Sequence, residues 1–259
     1  MARSTTPIVV RTAKYHGKAK GAEHGAAGSL AKGGKDIDFL EDMITSYFSM
    51  VPFTRKKELA EMILRPDAAI RRELGTASVK RGYFDLVVPM YYFVIPILLI
   101  YALIASVFSL GMAIPFMAAI CIIVIAAIPL FAFVVQLVAT LILFIIAKLL
   151  GGKGSFAKMM SLFGTIVGAT LLLMLPIAVL GMVPLLGTVF HFVNTAVVLY
   201  MLYLLYRLNI DLHGLSVNRS ILVVAVPCVL LLLLFVAILA AIFLVYFSMI
   251  LMMITGSLA

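Results

Sequence analysis

Three long tracts of the chain contain no Asp, Glu, Lys or Arg: Leu86–Ala147, Met159–Tyr206 and Ser220–Ala259. Apolar residues run through them continuously rather than in alternation, which suits helices and excludes the strands of a membrane barrel. An α-helix needs about 20 apolar residues to cross a hydrocarbon core, so each tract holds one or two spans. Turn residues divide them. Ser109-Leu110-Gly111 followed by Pro115 breaks the first tract, which predicts helices over 86–109 and 114–150, the second kinked near Pro129, where the ring removes a backbone donor. Gly181-Met182-Val183-Pro184 breaks the second tract and predicts helices over 159–181 and 184–208. The third has no Gly or Pro between Cys228 and Thr255 and reads as one helix over 219–254, its excess length absorbed by tilt or by an interfacial turn.

The fold class predicted is therefore all-α, a polytopic bundle of five transmembrane helices within residues 82–259. Ahead of it lie two further regions. Residues 1–35 are rich in Gly, Ala and Lys without hydrophobic periodicity and are expected to be a disordered basic tail, solvated or drawn to anionic lipid. Residues 36–81 carry amphipathic helices: Asp36 caps a helix with Ile37, Leu40, Ile44, Tyr47, Phe48 and Val51 at helical spacing. Thr54 starts a second, with Leu59, Met62 and Ile63 on one side, which ends before Pro66. Asp67 to Leu74 is a further turn or two, closed by Gly75. These segments are expected to lie against the membrane or the helix ends, either packed on the bundle or recruiting a partner.

Composition agrees with the tracts, since 64% of the 259 residues are hydrophobic and 12% charged, against roughly 25% charged in soluble domains. Charge adds orientation. Fifteen of the 20 Lys and Arg precede the first helix, Lys148, Lys153 and Lys158 flank the second connection, and Arg207 and Arg219 flank the fourth. By the positive-inside rule these connections are cytoplasmic. Five spans then put the N-terminus inside and the C-terminus outside or in a lumen, and all 11 acidic residues fall on the inner side as well. Tyr83, Tyr203 and Tyr206 fit an aromatic belt there. With no apolar run before Leu86, the first span is expected to act as the insertion signal. Lys80, Arg81, Lys148, Lys153, Lys158, Arg207 and Arg219 are the candidate lipid-headgroup contacts.

Candidate chemistry inside the spans is sparse. Gln136 and Thr140 share one face of the second helix, His191 and Asn194 one face of the fourth; interhelical hydrogen bonding is the role expected of them. Gly164-x-x-x-Gly168, extended by Ala169, permits close helix approach. Gly151-Gly152-Lys153-Gly154-Ser155 lacks the spacing of a phosphate-binding loop and has no preceding strand, so its glycines are read as a helix stop. Asp211 and His213 are read as polar loop residues. Cys121 and Cys228 lie in apolar tracts and read as small buried hydrophobes. No nucleophile, acid, base or metal-ligand set is visible, so neither an enzyme nor a cofactor or metal is expected.

Four short pieces, in order, resemble the YIP-domain (Ypt-interacting protein) family of five-helix membrane proteins over roughly residues 60–250. They are Leu64-Arg65-Pro66-Asp67-Ala68-Ala69, Gly151-Gly152-Lys153-Gly154-Ser155-Phe156, Phe163-Gly164 leading to Pro176, and Ile210-Asp211-Leu212-His213-Gly214-Leu215-Ser216. Where eukaryotic relatives carry D-L-Y-G-P, this chain has Asp85-Leu86-Val87-Val88-Pro89 and keeps only Asp85, Leu86 and Pro89. The resemblance implies a non-enzymatic protein of the prokaryotic type; eukaryotic members bind small GTPases of the Rab type in vesicle traffic. The expectation is an integral membrane scaffold or adaptor with a cytoplasmic recruiting surface, in the cytoplasmic membrane of a prokaryote or, in a eukaryote, the endoplasmic reticulum or Golgi. A small-solute or ion transporter, with proline-broken helices around His191, Asn194 and Gln136, is the alternative. Expected partners are the lipid bilayer, a cytoplasmic protein (a small GTPase by the resemblance alone) and a second copy of the chain, with no nucleic acid.

Overall fold

The computed structural model describes residue 39 and residues 41–51, 55–109, 111, 114–183 and 187–256. The expected basic tail, the Asp36 cap, Thr54 and Pro184 lie outside the described residues. Two compact units divide the chain, Met1–Met43 and Ile44–Ala259; of the first, residues 39 and 41–43 are helical, and the second holds the remaining described residues.

Among the described residues every regular element is a helix. Helix α1 covers residues 41–50, of which 44–50 belong to the second unit. Then come α2 (Lys56–Leu64), α3 (Pro66–Thr76), α4 (Val79–Phe108), α5 (Ile114–Leu149), α6 (Phe156–Gly181), α7 (Gly187–His213) and α8 (Val217–Gly256). The last five are long and apolar enough to cross a membrane, one for each predicted span.

Their ends differ from the predicted ones at the polar side. α4 starts at Val79 rather than 86, so Lys80, Arg81 and Asp85 are helical; α6 starts at Phe156 rather than 159. α7 runs to His213, so Asp211 and His213 are helical residues and not loop. Hydropathy marks where a helix leaves lipid, whereas the hydrogen-bond ladder continues until something stops it. For α7 the stop is Gly214, at φ +64°, whose N–H bonds Ile210 O at 2.9 Å. α3 likewise passes through Gly75 to Thr76.

Contacts between helix ends fix the arrangement. Ser78 N–H donates to Ser161 Oγ at 3.0 Å, Lys153 N–H to His213 O at 3.1 Å, and Arg219 to Leu150 O at 3.1 Å. The start of α4, end of α5, start of α6, end of α7 and start of α8 therefore share one end of the bundle. Every charged residue of α4–α8 lies toward that end, here the charged end.

α6 is the hub, touching α2, α3, α4, α5 and α7; half of its most apolar stretch is buried, against none of that of α8. Small residues make this possible. A Cβ at Gly164 would collide with Gly82 O, one at Gly168 with Asp85 O, and one at Gly82 with the Ser161 backbone. Backbone thus meets backbone where α4 crosses α6.

Two of the carbonyls freed by in-helix prolines are answered by tyrosines. A proline inside a helix leaves the carbonyl four residues earlier without its N–H donor, and lipid offers no water to replace it. Pro129 frees Ile125 O, which accepts from Tyr91 Oη of α4 at 3.2 Å; Pro176 frees Leu172 O, which accepts from Tyr47 Oη of α1 at 2.7 Å. A third tyrosine, Tyr200, donates to Ile63 O at the end of α2 at 2.5 Å.

The N-terminal helices accordingly pack into the bundle. Leu59, Ala60, Met62 and Ile63 of α2 are buried, with α2 against α6 and α3 against α6 and α7. Leu172 lies roughly 24 Å along α6 from its first residue at 1.5 Å per residue, so the stretch of α1 around Tyr47 flanks the depth of the span instead of resting on the helix ends.

Candidate interaction site at the charged end

The site is built on Arg55, in the break between α1 and α2. Its guanidinium lies 2.7 Å from Glu73 of α3 and pairs with Asp85 of α4, whose Oδ2 also accepts from Thr165 Oγ1 of α6 at 2.7 Å. Glu73 and Asp85 are 5% and 1% exposed, so four elements are tied by charges removed from water. Arg81 stands 3.6 Å from the same Glu73. Burial alone would push the Arg55 guanidinium's pKa down; the Asp85 and Glu73 carboxylates more than offset it, and the net direction is up. Arg55 therefore remains a cation. A cavity of about 420 Å³ opens beside the cluster, with Arg55, Glu73 and Arg81 lining it together with Lys57, Glu58, Glu61 and Arg72.

More exposed pairs fasten the rest of the cap formed by α2 and α3. Arg207 of α7 pairs with Asp67 at 2.6 Å, Arg71 stands 3.6 Å from Asp211, and Arg72 pairs with Glu61. Pro66 occupies the first position of α3, where its missing N–H costs nothing.

A second centre forms around His213, which is 1% exposed. Gly151 turns the chain at φ +91° and lets Gly152 N–H reach Ala147 O at 2.8 Å. Next, Gly154 N–H donates to His213 Nδ1 at 3.2 Å, which assigns that nitrogen as acceptor, while Nε2 lies 3.4 Å from Met159 Sδ. A Cβ on Gly152 or Gly154 would press on the His213 ring. The glycines expected only to stop a helix also let the α5–α6 loop close over this histidine.

The structure separates the predicted site residues into groups. Gly164, Gly168 and Gln136 meet at the α4–α6 crossing, Gln136 Nε2 donating to Met160 O at 2.8 Å. His191 and Asn194 are not gathered with them: His191 is exposed near the start of α7, at the uncharged end, and Asn194 is half-buried. Of the expected headgroup contacts, Arg81, Arg207 and Arg219 are engaged by protein groups, and Lys148 lies over the Phe144 ring at 5.4 Å. Lys80, Lys153 and Lys158 stay exposed. Of the family-pattern positions, Asp85, Leu86 and Pro89 are buried in α4 and Pro176 is the proline answered by Tyr47. Arg55, Glu73 and Thr165 were not singled out from the sequence; no periodic signal links a residue in a helix break to partners on three other helices. Among the described residues, no three His, Cys, Asp or Glu side chains gather to hold a metal ion.

Compared with known protein families, curated proteins and solved structures, the chain matches none.

Proposed function

We propose that this protein is a non-enzymatic membrane scaffold of the YIP-domain type, whose α2–α3 cap faces the cytoplasm and docks a protein partner. The observation that carries it is the Arg55–Glu73–Asp85–Thr165 cluster. A helical pair held on a bundle only by surface charges would be mobile, since exposed ion pairs contribute about 0–1 kcal/mol each. A cap anchored by paired charges, with both carboxylates buried, keeps one geometry, because opening it leaves Asp85 without its cation inside the protein. Rigid presentation lowers the ordering cost of binding. The exposed rim of the cap, with Lys57, Arg65, Arg71 and Arg72 beside Asp67, offers charge for selecting a partner.

Photo-crosslinking in native membranes tests this. A photoreactive residue at Lys57 or Arg71 is expected to yield a discrete protein adduct, and one at Leu231, on the exposed flank of α8, only lipid. Absence of cap adducts, or the same adducts from both positions, contradicts it. Solute flux in proteoliposomes that disappears with His191→Ala and Gln136→Leu would favour the transporter instead.

A further inference from the structure

The cap packs on α6 and α7, and α8 on α5 and α7, so the bundle has a cap flank and an α5–α8 flank. On the cap flank charge reaches far down. Arg55 pairs with Asp85, which holds Thr165 of α6, about 14 Å along that helix from Phe156 at 1.5 Å per residue. From there α2 runs to Ile63, whose carbonyl takes Tyr200 of α7, about 20 Å from the α7 end at His213. Between these anchors Lys57 is exposed and Glu61 half-exposed. On the other flank apolar surface continues to the helix ends. Gln136 of α5 donates to Met160 O, a point on α6 nearer the charged end than Thr165. Beyond Gln136, toward that end, α5 exposes Val138, Leu141, Ile142, Ile145 and Leu149, about 20 Å more of apolar helix. The first charges on this flank, Lys148 and Arg219, stand at the ends of α5 and α8.

No flat membrane boundary serves both flanks. Drawn at Leu149, it puts Lys57 and Glu61 in hydrocarbon, where ionic groups are expensive; drawn at Thr165, it leaves a stripe of large apolar α5 side chains in water. From Thr165 to Gly181 α6 offers about 24 Å, and from Phe116 to Leu149 α5 offers about 50 Å, against a hydrocarbon core of about 30 Å. One flank is too short and the other too long. A rigid tilt shortens both heights together, so it relieves one mismatch and worsens the other. We propose that the protein reshapes the phospholipid bilayer around it: the cytoplasmic leaflet is thinned along α2, its headgroups drawn down to Lys57 and Glu61, and keeps its full depth along α5 and α8. The Arg55–Asp85 pair holds the step, because α2 cannot ride up toward the helix ends without leaving Asp85 buried and unpaired. This inference stands apart from the partner-docking role and survives if that role fails.

Spin labelling of the full chain in phosphatidylcholine vesicles, with Cys121 and Cys228 replaced by Ala, tests it. Single nitroxide-labelled cysteines replace Lys57, Ile145 and Met182, all exposed positions. Each is read for collision with oxygen, which concentrates in hydrocarbon, and with a water-soluble nickel chelate. The oxygen-to-nickel ratio is expected to be severalfold higher at Ile145 than at Lys57, although Ile145 lies nearer the charged end, and Met182 should resemble Lys57. A low ratio at both Lys57 and Ile145 means a flat boundary near Thr165, and a high ratio at both a flat boundary near the helix ends; either overturns the proposal. A high ratio at Met182 together with a low one at Lys57 means that the whole bundle leans, which overturns it as well. The vesicles hold no other protein, so a docked partner cannot produce the expected pattern.

Discussion

Tyr47 shows how one hydroxyl can hold a helix in place. Its oxygen donates to Leu172 O, the carbonyl that Pro176 deprives of its ladder partner, and burial pushes its pKa up, so the phenol keeps its proton. Tyr47→Phe is expected to lower stability by about 1–3 kcal/mol, the cost of an unsatisfied buried acceptor, read as a lower unfolding midpoint in detergent. In a Pro176→Ala background the new N–H restores the ladder bond, and the same Tyr47→Phe change should then cost less than about 1 kcal/mol. A cycle in which the two changes are additive would contradict this pairing. Arg55→Met makes a sharper cut, leaving Asp85 buried without its cation and Glu73 with only the more distant Arg81, for which about 3–5 kcal/mol is expected. Limited proteolysis should then open the chain in residues 50–78 first, while the spans stay protected.

Elements divide by what their glycines face. Gly75 of α3 has nothing within 4 Å of an added Cβ, so Gly75→Ala should stabilise the helix by about 0.5–1 kcal/mol. Gly168 meets Asp85 O across the α4–α6 crossing, so Gly168→Ala must push two helices apart and is expected to lower the unfolding midpoint clearly. Equal effects at the two positions would show that the crossing is not backbone on backbone. The same contrast shows what the sequence made legible. The apolar tracts followed from hydropathy, and the breaks at Gly111 and Gly181 that set the span number followed from turn residues, because lipid enforces both uniform apolarity and a closed hydrogen-bond ladder. The close-packing role of Gly164 and Gly168 was legible as a spacing, but not its partner helix. Asp211 and His213 were read as loop because their polarity resembles one, although the ladder passes beneath them to Gly214. Arg55, Glu73 and Thr165 carry no local pattern at all, since what joins them is tertiary contact around Asp85.

At the scale of the whole molecule, charge is segregated: helix ends that meet through Ser78–Ser161, Lys153–His213 and Arg219–Leu150 bring every charged stretch of α4–α8 to one end. The cap joins the same end through Arg55 and Arg207. A partner-docking cap needs that end in the cytoplasm, which the positive-inside rule assigns to it. The direct measurement is labelling of single cysteines by a membrane-impermeant maleimide in sealed cells and in opened membranes, with Cys121 and Cys228 replaced by Ala. Cysteines at Lys57 and Lys153 should label only after the membrane is opened, and one at Met182, in the turn after α6, should label in sealed cells. Labelling of Lys57 or Lys153 from outside, or of all three positions from the same side, would contradict a five-span bundle with its charged end and cap in the cytoplasm.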